Sequence, residues 1–223
     1  MLHVGLLPKM REFPPIDREA EADAMRTLFF EDAEFEGRPC RVSRANYLAF
    51  LSMRGDDVAI EVRKLRSFFA QHSPEEMARD IVRLLKARNW RFHNIACVAL
   101  ASGYGSDRAI AALWGCLRAG SWTSPQLSAT AAYVDSEFKE KALEAIKGHD
   151  TYFKSIVSLA GKLRNDVGAV HQEASEVDLN IQEALSIDRD NSGAIAVGWL
   201  ANLRDAFGPT YSSRGSPSAP AEL

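Results

Sequence analysis

Residues 84–101 read LLKARNWRFHNIACVALA, and residues 116–133 read CLRAGSWTSPQLSATAAY. The two stretches superpose at an offset of 32 residues. Trp90 then falls on Trp122, Leu85 on Leu117, Ala87 on Ala119, Asn89 on Ser121, Ile95 on Leu127 and Ala99 on Ala131. The residues before each stretch agree in kind. Ser73-Pro74-Glu75-Glu76 combines an N-cap, a proline in the first turn and a capping-box glutamate, which together start a helix. Ser106-Asp107 opens the corresponding helix one period later. Each unit therefore predicts a helical hairpin with a tryptophan at its corner. One such hairpin cannot bury its own apolar face, so neighbours must stack and share a core. Small side chains, among them Ala96, Ala99, Ala111, Ala129 and Ala132, are expected to let the helices approach closely.

Working outward, DREAEADAMRTLFFEDAEFE (17–36) predicts an acidic amphipathic helix. Asp17 is its cap, Met25, Leu28 and Phe29 its apolar face, and Gly37 and Pro39 its end. SRANYLAFLSM (43–53) predicts a second helix capped by Ser43, and VAIEVRKLRSFFAQ (58–71) a third with Val58, Val62, Leu65 and Phe69 on one face. Downstream of the repeat, helices are expected from Ser124-Pro125, over 139–147, in TYFKSIVSLAGKLR (151–164), in VHQEASEVDLNIQEAL (170–185) and in SGAIAVGWLANLRDAF (192–207). Almost no window alternates as a strand does. The expected organisation is a leader over 1–16, a single helical-repeat domain over 17–208, and a disordered Pro-, Gly- and Ser-rich tail over 209–223.

On the hairpins between Pro74 and Asp135 the chain resembles the HEAT-like α-solenoids. The resemblance covers about a quarter of the sequence. Its period is shorter than the usual HEAT unit, and neither the ankyrin turn pattern nor the tetratricopeptide arrangement of Trp, Gly, Tyr and Pro is present. The resemblance implies an all-α fold, a right-handed stack of antiparallel helical hairpins.

Composition bounds the function. Hydrophobic residues make up 46 % and charged residues 26 %, which excludes a mainly disordered or collagenous chain. The formal net charge is -3 and the isoelectric point about 6.0, against the strongly basic balance of many nucleic-acid binders. Three cysteines cannot all pair, and Cys97 and Cys116 lie in apolar runs. That usage predicts a reducing, cytoplasmic setting. MLHVGLLPKMREFPP is too short and too interrupted for a signal peptide, and no apolar run has the length of a membrane span.

No motif carries chemistry. There is no HExxH and no G-x-S-x-G. His93 is read as a packing histidine, Cys97 as a core thiol, GYGSD (103–107) as a turn between helices, and the acidic run Glu173 to Asp190 as a solvated face. No catalytic residue, metal site or cofactor is expected. Charge is more informative. From Glu61 to Arg91 there are eight Lys or Arg against four acids. Arg79, Arg83 and Lys86 recur at helical spacing, and Arg88 and Arg91 flank Trp90. These six residues are the candidate binding surface. The expected function is a non-enzymatic protein-binding or scaffold module, of regulatory or immunity-like kind, whose partner presents an acidic surface. A nucleic-acid-binding or DNA-repair protein using the same basic face is the alternative.

Overall fold

The computed structural model describes residues 15–147, 155, 156, 159 and 191–209. The chain is mostly helical. The order is α1 (Arg18–Met25), β1 (Phe30–Phe35), β2 (Arg38–Ser43), α2 (Ala49–Ser52), α3 (Asp56–Phe69), α4 (Pro74–Lys86), α5 (Trp90–Ala101), α6 (Asp107–Ala119), α7 (Ser124–Val134), α8 (Phe138–Lys147) and α9 (Ser192–Phe207). The helix expected over 170–185, the acidic run, nearly all of the leader and of the tail, and all but three residues of the helix expected over 151–164 lie outside the described residues.

Local chemistry sets the helix starts. The Ser73 hydroxyl accepts from the Glu76 N–H at 3.2 Å, and the Glu76 carboxylate accepts from the Ser73 N–H at 3.1 Å. This closed capping box starts α4. Ser106 accepts from Ala109 N–H at α6, and Asp17 from Glu19 and Ala20 N–H at α1.

Two local expectations are corrected. The helix begun at Asp17 stops at Met25, and residues 30–43 form an antiparallel hairpin. Phe35 pairs with Arg38, so Glu36 and Gly37 alone make the turn, with φ of 50° and 75°. Two successive positive φ values give the type I′ turn, whose twist matches that of paired strands. Arg41 binds the hairpin to the end of α1. Its Nε donates to the Met25 carbonyl at 3.1 Å and its Nη2 to the Phe30 carbonyl at 2.8 Å. Phe30 meets Phe92 of α5 edge to face at 5.2 Å. Ser43, expected to cap a helix, instead ends β2 and donates to the Ala45 carbonyl. The following helix, α2, is only four residues long.

Packing centres on α5 and α7. Helix α4 packs on α5 and on α6, α5 on α7, α6 on α7, and α7 most extensively on α9. Helix α1 lies on α4, and α2 on α3 and α5. All eleven residues of α7 are buried, as are Phe92 to Ala101 of α5. Ala96, Ala99, Ala129 and Ala131 are wholly inaccessible, which permits close helix approach; Ala132 is also buried, but Ala111 is exposed and plays no such part. Trp199 of α9 is buried and donates from Nε1 to the Phe50 carbonyl of α2 at 3.1 Å. Among the described residues no helix is long and apolar enough to cross a membrane.

Candidate functional site

The two corners identified by the repeat do the same local work. Asn89 Oδ1 accepts from Arg91 N–H at 3.1 Å, and Ser121 Oγ accepts from Thr123 N–H at 3.1 Å. The aligned residues thus each hold the amide two positions on. The corner tryptophans meet, Trp90 and Trp122 lying 5.0 Å apart at 61°. Tyr47, just before α2, packs on Trp90 at 5.7 Å and 87°. The Arg91 guanidinium sits 4.8 Å from the Trp90 ring centre and 5.3 Å from that of Tyr47. Cation–π contacts of this kind contribute roughly 0.5–1 kcal/mol each at exposed sites. Trp122 remains 59 % exposed and Leu48 58 %.

A buried histidine supports this cluster from beneath. His93 Nε2–H donates to the Ala87 carbonyl at 2.8 Å, which leaves Nδ1 to accept from the Ser121 hydroxyl at 2.7 Å. Ala87 belongs to the first corner and Ser121 to the second, so one imidazole joins both. Burial pulls the His93 pKa down to about 4, against a smaller opposing effect of the Ala87 carbonyl. The ring is neutral at pH 7, in the packing role the sequence predicts.

The basic residues divide. Arg83 is a clamp between elements. Its Nε and Nη2 reach the Asp23 carboxylate at 2.8 and 2.7 Å, and its Nη1 reaches Asp80 at 3.0 Å. Asp80 is buried and also accepts from Leu28 N–H at 2.8 Å. The hydrogen bonds from Arg83 hold Asp23 below the usual carboxylate range, and the same bonds raise Arg83. Arg88 is half-buried, and its backbone N–H, with that of Asn89, donates to Glu21 of α1 at 2.6 and 3.0 Å. Arg79 is exposed, with Nε 3.5 Å from Asp80, and Lys86 is exposed. So α1 covers part of the stripe, while Arg79, Lys86 and Arg91 face outward. The structure brings Trp90 and Arg91 together with Tyr47 and Trp122, neither of which stood out as a surface residue in the sequence. The match of Trp122 to Trp90 was the available signal.

Other groups are placed for packing. Cys116 Sγ lies 3.5 Å from His93 Nε2, a pairing familiar from nucleophilic catalysis. Here burial drives the thiol up to about 12 and the imidazole down to about 4. Proton transfer between them would make a buried ion pair, so the thiolate does not form. Cys97 is fully buried and likewise raised to about 12. A groove of about 480 Å³ between α6 and α8 holds Asp135, whose carboxylate accepts from Trp114 Nε1 at 2.6 Å and Lys141 Nζ at 2.9 Å. Its central charges are already paired. Among the described residues no three His, Cys, Asp or Glu side chains converge as a metal centre requires. Comparisons with family models, with curated proteins and with solved structures each give no match to this chain.

Proposed function

We propose that this chain is a non-enzymatic helical-repeat module that binds another protein at its paired corners. The observation that carries the proposal is the cluster of Tyr47, Trp90, Arg91 and Trp122, with an exposed indole at its edge. Trp, Tyr and Arg are the residue types that dominate binding energy at protein interfaces. The side chains already pack on one another, and His93 ties together the two corners that carry them, so little ordering entropy opposes association. Exposed Arg79, Lys86 and Arg91 favour a partner with an acidic surface. The packing of α4 with α5 and of α6 with α7, together with α4 on α6 and α5 on α7, supports stacked helical hairpins, and the right-handed, antiparallel HEAT-like form is part of the same proposal. The cytoplasm is the compartment this reading implies.

The test is affinity capture from lysate of the chain's own host, with Trp122→Ala and Arg91→Glu variants beside the wild type. Protein and nucleic acid are read from the same eluate. One stoichiometric protein, lost with both variants, supports the proposal. Bases also stack on exposed indoles beside arginine. Nucleic acid retained without a protein partner would therefore replace this reading by the nucleic-acid one.

A further inference from the structure

A second groove, of about 520 Å³, lies between α3 and α9. Arg54, Arg63 and Arg66 line it, with Asn202 and Asp205. Among the described residues none of the three arginines makes an ion pair. This contrasts with Arg41, Arg44 and Arg83, each of which sits on a carboxylate. Yet two of the three side chains are placed. The Arg66 guanidinium stacks 5.1 Å from the Phe207 ring centre. Arg54 Nη2 lies against the bare backbone of Gly198, 3.5 Å from where a Cβ would stand. Arg63 and Arg66 are one helical turn apart on α3 and so share a face. The Asn202 amide donates to the Ser52 carbonyl at 2.8 Å, which fixes that wall. Asp205 is the single carboxylate among the lining residues, so the groove keeps a surplus of two positive charges.

We propose that this groove binds a soluble organic phosphate. Guanidinium forks match the terminal oxygens of phosphate in paired hydrogen bonds, and three forks on one groove exceed what a single carboxylate can use. Val58, Val62 and Ala206 provide an apolar wall for the organic part of the ligand. The volume falls within the range of small-molecule sites, roughly 300–1,000 Å³. The groove involves none of the corner residues, so the two proposals stand or fall separately.

The experiment is a titration at constant ionic strength, followed by amide chemical shifts. The probes are phenyl phosphate, inorganic phosphate and phenol. Two further arms use vesicles of phosphatidic acid and a short single-stranded oligonucleotide. The expected result is saturable binding of phenyl phosphate, tighter than that of either fragment, with shifts confined to α3, the turn at Met53 to Gly55 before it, and α9. Arg63→Gln with Arg66→Gln should weaken it about tenfold or more, and Arg108→Gln should leave it unchanged. Both substituted side chains are exposed, so the double variant should still fold, with its unfolding midpoint lowered by no more than the lost Arg66–Phe207 stack accounts for, which is checked in parallel. Absence of saturation, equal affinity in the double variant, or stronger binding to vesicles or oligonucleotide than to phenyl phosphate would each overturn the proposal.

Discussion

Acidification should weaken this fold through His93, by an amount the structure sets. An unfolded histidine takes its proton near 6.5, whereas the folded His93 does so only near 4. Between those values the unfolded chain binds a proton that the folded chain refuses. The stabilisation is therefore fully present above 6.5 and is lost as the pH falls towards 4. Each pH unit in that window is worth about 1.4 kcal/mol. Carried from about pH 7.5 to about pH 4.5, the loss integrates to about 2.5 kcal/mol. Carboxylates titrate in the same range, so a reference is needed. His93→Gln supplies it, because an amide can still donate to Ala87 and accept from Ser121 but does not titrate. Urea unfolding of both proteins across the range gives the difference directly. The stability advantage of wild type over variant should shrink by about 2.5 kcal/mol on acidification. A difference that stays constant within about 0.5 kcal/mol would refute the buried, neutral assignment and the double hydrogen bond behind it.

Three further outcomes follow from the packing. Arg83→Met should destabilise the protein by about 2–3 kcal/mol in denaturant titrations, because the buried Asp80 carboxylate loses its main cation. Gly115→Ala should stabilise by about 0.5–1 kcal/mol, since the helix loses a flexible residue and a Cβ there meets nothing within 4 Å. Thermal unfolding checks it, and a lowered midpoint would contradict the open space. A thiol reagent should titrate Cys40 alone in the native protein and all three cysteines in denaturant, because Cys97 and Cys116 are buried and Cys40 is half-exposed.

Helix starts were legible because a cap is a local device. Asp17, Ser73 and Ser106 each satisfy amides within three residues, and the sequence carries that spacing openly. The hairpin was not legible. On β1 only Phe30 is buried, so no alternating apolar face exists to be seen. Its turn is Glu36-Gly37, a weaker signal than Asn-Gly for the same backbone. At the candidate surface, Trp90 and Arg91 stood out by spacing and charge. The role of Arg83 did not, because Asp23 is 60 residues away and only folding brings it near. Tyr47 was hidden for a related reason. It sits in the turn before α2, within a stretch whose apolar spacing reads as one continuous helix.

The complete burial of α7 bears on how the chain is made. Its covering helix α9 ends at Phe207, about 70 residues after α7 ends at Val134. At roughly 5–20 residues per second, synthesis leaves the α7 surface uncovered for about 4–15 s. Among the described elements, α5 and α6 already pack on α7 through that interval. The side that meets α9 waits for that helix on the nascent chain, and surface that is buried in the native fold but not yet covered is the kind that chaperones hold. A chain terminated before Ser192 would lack this cover, so among the described elements the docking of α9 on α7 is the contact that synthesis completes last.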